Sequence, residues 1–232
     1  MSLAAVLARA QHILLDFDGP MCSTFSAISA AEATHRLGAL LARHGVRLPD
    51  ELLDSADPFA LLHHVAAEAP QFSAVAEQSL TELEVAAVRS AEPTPGLREM
   101  LDALHCAGRS VTVVSNNSAA AVCTFVVAED LVPHLHGIVA RADPDPRLLK
   151  PSPFLPRLAA AQLRASVDTC ALLGDSVTDI EAARRAGVGS IAFANKPGKH
   201  DMLLASGPNA IVASLFDVVR QIKSLGERKH VQ

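Results

Sequence analysis

Residues 12–25 read HILLDFDGPMCSTF, an apolar run that ends on two aspartates one residue apart. Strand alternation would put Asp16 and Asp18 on the same side of the chain. Two carboxylates held together there cost free energy unless a proton or a cation compensates. Other polar groups stand in comparable places just beyond apolar runs. VTVVSNNS ends in Ser115, Asn116 and Asn117, LLKPSP carries Lys150, and CALLGDSVTD ends in Asp175 with Asp179 four residues on. Asp175 and Asp179 are thus one helical turn apart. In an open parallel sheet, the carboxyl ends of the strands share one crevice, so four carboxylates, a lysine and a serine are expected to converge. A lone aspartate at a strand end or helix start is usually a cap, and for Asp179 alone that is the simpler account. Cap duty for all four leaves their repulsion unexplained, whereas a hard divalent cation explains it. Mg²⁺ takes oxygen ligands and keeps waters and phosphate oxygens in its shell, so the set points to phosphoryl chemistry.

These residues need elements to hold them. The first strand, from His12, is followed by apolar runs without alternation at 110–115, 137–141, 169–174, 190–194 and 210–214. Helical patterns at 119–131, 153–163 and 179–187 lie between them, and 215–225 reads as a final helix. Non-alternating strands divided by helices predict a parallel sheet covered on both faces, a doubly wound, Rossmann-like α/β fold. Residues 24–92 differ, with helical spacing at 25–45, 58–69 and 71–90 and a return through EPTPG at 92–96. The expected organisation is an α/β core formed by 1–23 and 93–232, with 24–92 inserted as a helical cap.

Four motifs in order, DFDG, VVSNN, KPSP and GDSVTDIEAARRAG, make the chain resemble the haloacid dehalogenase-like hydrolase superfamily. The resemblance is to the branch with a helical cap after the first strand, similar to phosphoglycolate phosphatases and β-phosphoglucomutase-like phosphatases. It implies that Asp16 is the nucleophile and Asp18 the general acid and base. It implies Mg²⁺ held by Asp16, the backbone carbonyl of Asp18, Asp175 and Asp179, the last as ligand or water-holder. Phosphate would be gripped by the amides of Phe17 and Asp18, by Ser115, by the amide of Asn116 and by Lys150. Dehalogenases of this superfamily lack an acid at the position of Asp18, and its phosphonate-cleaving members carry a small residue there, so both are disfavoured. The implied activity is a Mg²⁺-dependent phosphomonoesterase acting through an aspartyl-phosphate. The alternatives are a sugar-phosphate mutase and a catalytically retired binding or regulatory protein.

The chain has 232 residues, half of them hydrophobic and 19% charged, with a formal charge of −5. That composition supports a sizeable core, and its sign argues against nucleic acid as the main partner. No stretch approaches the roughly 20 apolar residues of a membrane span, and MSLAAVLARAQH is too short and too poor in basic residues for a signal peptide. Cys22, Cys106, Cys123 and Cys170 form no metal or disulfide pattern, so mostly buried, reduced thiols in a cytoplasmic protein are expected. The expected partner is a small phosphorylated metabolite, with no nucleic acid and no membrane; monomer and homodimer both stay open. Thr24, His35 and Arg36 are the cap's candidates for specificity. His63 and His64, without a nearby Asp or Cys at ligand spacing, are expected on the surface or in packing. Asn195 and Lys196 could reach the crevice, and Pro20 could stiffen the link from core to cap as the first residue of a short helical turn.

Overall fold

The computed structural model describes residues 1–26 and 28–229. Its strands are β1 (His12–Leu15), β2 (Ser110–Ser118), β3 (Gly137–Arg141), β4 (Cys170–Gly174), β5 (Gly189–Phe193) and β6 (Ala210–Val212). Its helices are α1 (Leu3–Arg9), α2 (Ala30–Arg43), α3 (Asp50–Leu53), α4 (Pro58–Glu68), α5 (Ser73–Val88) and α6 (Leu97–Cys106), then α7 (Ala119–Ala128), α8 (Phe154–Gln162), α9 (Val177–Ala186), α10 (Lys199–Ala205) and α11 (Leu215–Lys229). The strands form one sheet in the order β3-β2-β1-β4-β5-β6, every pair parallel. β1 reads as an unbroken apolar run because both of its faces are covered. Ile13 and Leu15 pack in a cluster with Leu7, Leu101, Phe125 and Val218, under α1, α6, α7 and α11. Leu14, on the other face, packs with Leu155, Ala159, Ala182 and Ala183 of α8 and α9. Strand order reverses beside β1, between β2 and β4, and opens the crevice in which ligands of such sheets bind.

Two differences from the sequence expectation matter for the crevice. β2 runs to Ser118, so Ser115, Asn116 and Asn117 lie within it, with a register shift against β3 between Ser115 and Ser118. α2 begins at Ala30 rather than near Phe25, because Ser29 caps it by accepting from the Glu32 amide at 3.0 Å. α1, α3, α6 and α10 lie outside the helical patterns read from the sequence. α6 nonetheless carries a clear buried stripe of Leu97, Met100, Leu101 and Leu104.

The helices between β1 and β2 have an apolar cluster of their own. Leu37 and Leu41 of α2, Leu61, Leu62 and Val65 of α4, and Ala76 and Leu80 of α5 meet there, joined by Leu149. The chain leaves and re-enters the sheet side by side: the Thr94 amide donates to the Met21 carbonyl at 2.8 Å and its hydroxyl to the Gly19 carbonyl at 2.7 Å. Pro20 is buried in a turn rather than a helix, closed by the Met21 amide donating to the Phe17 carbonyl at 3.0 Å. Cys22 and Cys170 are buried, while Cys106 and Cys123 are exposed, so only two of the four thiols follow the expectation of burial. Among the described residues, no helix is long and apolar enough to cross a membrane.

Candidate active site

Lys150 sits at the centre of the crevice with its side chain 2% exposed. Its ammonium donates to Asp16 Oδ1 at 2.6 Å, to Asp179 Oδ1 at 2.6 Å and to the Val114 carbonyl at 3.1 Å. Asp16 follows β1 directly, and its amide continues the sheet ladder to the Leu173 carbonyl at 2.9 Å. Asp179 is fixed in the first turn of α9 by a capping box. Its Oδ2 accepts from the Ser176 amide at 3.0 Å and the Ser176 hydroxyl at 2.6 Å, and its own amide donates to Ser176 Oγ at 3.2 Å. Gly174 makes room for this arrangement, since a Cβ there would lie 2.3 Å from the Asp179 carboxyl carbon. Asp179 is therefore both a cap and a member of the cluster.

Charge in this cluster is unbalanced. Burial and the neighbouring Asp179 charge hold the Asp16 pKa well above the usual carboxylate range, against the opposing pull of Lys150. Burial works against the Lys150 ammonium, but Asp16 and Asp179 outweigh it and raise its pKa. One ammonium thus serves two buried carboxylates, and a third stands close by. Oxygens of Asp16, Asp175 and Asp179 all lie within 4.8 Å of one another. Three hard oxygen donors with uncompensated negative charge fit a hard divalent cation. Asp18 lies outside this trio. Its exposed carboxylate lines the same cavity, with Oδ1 accepting from the Thr24 amide at 2.7 Å.

Asp175 at the end of β4 is contacted by two residues from the segment after β5. The Lys199 ammonium pairs with its carboxylate and donates to its backbone carbonyl at 3.0 Å, and Asn195 Nδ2 donates to the carboxylate at 3.2 Å. Burial raises the Asp175 pKa, and Lys199 opposes that rise. Gly19, with φ of 97°, lets the chain pass close to this carboxylate: a Cβ there would lie 2.3 Å from it. Of the sequence candidates in this segment, Asn195 reaches the site. The lysine that does so is Lys199 rather than Lys196, because the chain turns at Gly198, φ 81°, and starts α10 there.

The end of β2 is held from beneath. Asn116 is pinned by its side chain, which accepts from the Lys150 amide at 2.8 Å and donates to the Lys150 carbonyl at 3.0 Å. The Ser115 hydroxyl is fully buried and engaged with Asn117, accepting from its amide at 3.1 Å. A buried ionic network that the motifs do not contain anchors this segment. Glu84 of α5 accepts from Arg141 at 2.6 Å, from the Ser118 amide at 2.8 Å and from Asn117 Nδ2 at 3.2 Å. Arg141 also bonds Glu77 at 2.6 Å and the Asn116 carbonyl at 3.0 Å. Glu84 falls on the buried stripe of α5 with Ala76, Leu80 and Ala87, which is the signal that could have marked it as a buried charge.

A cavity of about 330 Å³ opens over the cluster, lined by Asp16, Asp18, Asn116, Lys150 and Asp175 from the sheet side. Phe17, Ser115 and Asp179 do not line it; the Phe17 ring is buried edge-on against Phe125 at 5.4 Å. The helical segment contributes Asp57, Phe59 and His63. Thr24, His35 and Arg36 do not face it: Thr24 is buried, His35 is exposed outside it, and Arg36 pairs with Glu32 on the surface. His63 corrects the sequence expectation in the other direction, being exposed into the cavity rather than spent on the outer surface or in packing.

This fold and site define a class of hydrolase, and comparison with known proteins agrees. The family model described as haloacid dehalogenase-like hydrolase matches residues 61–193, more than half of the sequence. The chain belongs to that family. Phosphoglycolate phosphatase from Salmonella typhi is 26% identical over 125 residues, 54% of this chain and 49% of that protein. The chain therefore matches over about half the length of the curated relative. Among solved structures, CbbY from Rhodobacter sphaeroides in complex with phosphate aligns with a TM-score of 0.65 at 23% identity, over 89% of this chain and 95% of that one. L-2-haloacid dehalogenase from Xanthobacter autotrophicus aligns with a TM-score of 0.61 at 16% identity, over 92% and 98%. At these identities the structural likenesses establish the fold alone.

Proposed function

We propose that the protein is a Mg²⁺-dependent phosphomonoesterase for a small phosphorylated metabolite, with 24–92 acting as a cap over the site. The observation that carries this reading is Asp16 itself. It is a strand-end carboxylate held at 2.6 Å by a buried lysine, inside a trio of carboxylates, with Asp18 facing the same cavity. Lys150 occupies Oδ1 of Asp16 and leaves Oδ2 to attack phosphorus. As the Oδ2–P bond forms and the ester P–O bond breaks, Asp18 gives its proton to the leaving alcohol oxygen. The Thr24 amide holds Oδ1 of Asp18 and leaves the other oxygen for that transfer. Asp18 then takes a proton from water as the water attacks phosphorus, and Asp16 is released with inorganic phosphate. The amides of Phe17, Asp18 and Asn116 would hold the phosphoryl oxygens with the Lys150 charge beside them, and Ser115 would set the strand end that presents them. Mg²⁺, held by Asp16, Asp175 and the Asp18 carbonyl with Asp179 behind, would supply positive charge for the phosphoryl oxygens in the transition state. Closure of the cap would limit water in the site, which suits small substrates.

The test is hydrolysis of p-nitrophenyl phosphate with Mg²⁺. Chelation by EDTA and the substitution Asp16→Asn are each expected to reduce turnover to background. Full activity in Asp16→Asn would overturn the nucleophile assignment.

A further inference from the structure

The chemistry above uses the sheet side of the cavity and leaves its other wall without a role. That wall is Asp57, Phe59 and His63 at the start of α4, facing Ser176 and Thr178 at the start of α9. We propose that it selects the alcohol half of the ester, taking a neutral, hydroxyl-bearing leaving group, and that Asp57 repels leaving groups with a second negative charge. This rests on the phosphomonoesterase reading and deepens it.

The cations near the cavity are already committed. All three donors of Lys150 are used by Asp16, Asp179 and the Val114 carbonyl. Lys199 is paired with Asp175. Beyond His63 a neighbouring cavity of about 590 Å³ holds Arg147, but Asp145 grips that guanidinium at 2.7 and 2.8 Å, and Asp143 lines the same space. Among the described residues, no uncommitted lysine or arginine lines either cavity. With Asp18 carrying the proton it donates, Asp16, Asp175 and Asp179 set three negative charges against two ammonium groups and the divalent cation, which leaves one positive charge for the phosphate dianion, so negative charge is already in excess. A second anion on the substrate would then meet Asp57 with only an imidazole nearby.

The same wall has partners for hydroxyl groups. Asp57 uses Oδ1 to cap α4, accepting from the Phe59 amide at 2.9 Å, and keeps Oδ2 as an acceptor. Across the cavity Thr178 offers its hydroxyl, while that of Ser176, 2.8 Å from it, is spent on Asp179, and Phe59 supplies apolar surface for a carbon skeleton. The His63 imidazole completes the edge with one nitrogen able to donate or accept.

The experiment compares kcat/KM for glycerol 3-phosphate, whose leaving alcohol is neutral, with phosphoglycolate, whose leaving alcohol carries a carboxylate, using p-nitrophenyl phosphate as the control ester. Wild type is expected to favour glycerol 3-phosphate by about tenfold or more, the scale of one charge repulsion in a partly desolvated site. Asp57→Asn keeps an N-cap of equal quality, so the fold is retained. It is expected to lower the KM for phosphoglycolate selectively and narrow the ratio by about tenfold. Preference of wild type for phosphoglycolate, or an equal change for both esters in Asp57→Asn, overturns the proposal. If p-nitrophenyl phosphate is not turned over either, the phosphomonoesterase reading falls, and this proposal with it.

Discussion

Asp175 is shared between two cations in the functional reading, and only one of them is part of the chain. Lys199 pairs with its carboxylate and with its carbonyl at 3.0 Å, while its oxygens lie within 4.8 Å of those of Asp16 and Asp179. An ammonium and a divalent cation drawn to one carboxylate repel each other, so on that reading Lys199 is expected to weaken metal binding. Lys199→Met keeps the alkyl stem and removes the charge. It is expected to tighten Mg²⁺ binding about tenfold in isothermal titration calorimetry; weaker binding would make Lys199 a residue that orients Asp175. The motif aspartates could be read from sequence because apolar runs fix where each strand ends, and the chemistry sits at those ends. Lys199 could not, because its reach depends on a left-handed turn at Gly198. Asp57 and His63 were hidden for another reason: only the lie of α4 across the crevice turns them inward.

At the scale of elements, α5 connects the helical segment to the end of β2. Glu84 is 0% exposed and Arg141 1% exposed at their side chains, so their contact at 2.6 Å is shielded from water and salt. Burial lifts the Glu84 pKa, and Arg141 and the Ser118 amide pull it back. Glu84→Gln leaves Arg141 with Glu77 as its sole carboxylate partner. It is expected to cost about 3 kcal/mol in urea unfolding, the scale for breaking a buried pair from one side. The KM for p-nitrophenyl phosphate should rise as well, since Arg141 and Glu84 together hold the backbone from Asn116 to Ser118. A loss under about 1 kcal/mol with unchanged KM would reduce the network to filler. The strand–helix alternation was legible because a sheet buried on both faces leaves continuous apolar runs. This network was not, because a Glu on the buried stripe of α5 and an Arg at the end of β3 mark two charges without showing that they meet.

For the whole molecule, the question is whether the helical segment moves on the sheet. The expected bounds 24–92 come from where strand patterns stop and resume, a signal that says nothing of how the segment is attached. Three attachments are structural facts: the hydrogen bond between the two chain crossings at Met21 and Thr94, the Glu84–Arg141 network, and the packing of α5 on α7. All three grip the ends of the segment or α5. α2, α3 and α4 instead depend on one small apolar cluster, to which the sheet side gives Leu149. Few buried apolar contacts mean a low free energy of local opening. Native-state hydrogen exchange is therefore expected to show α2–α4 opening below the global unfolding free energy, while α5 exchanges together with β1, β2 and β4. Mg²⁺ with inorganic phosphate should slow exchange at the start of α4, where Asp57, Phe59 and His63 face the cavity, and leave α1 and α11 unchanged. Exchange of α2–α4 and the sheet at one common free energy would show that the segment does not open as a unit. It would remove the basis for treating it as a moving cap and leave α4 as a fixed wall of the site.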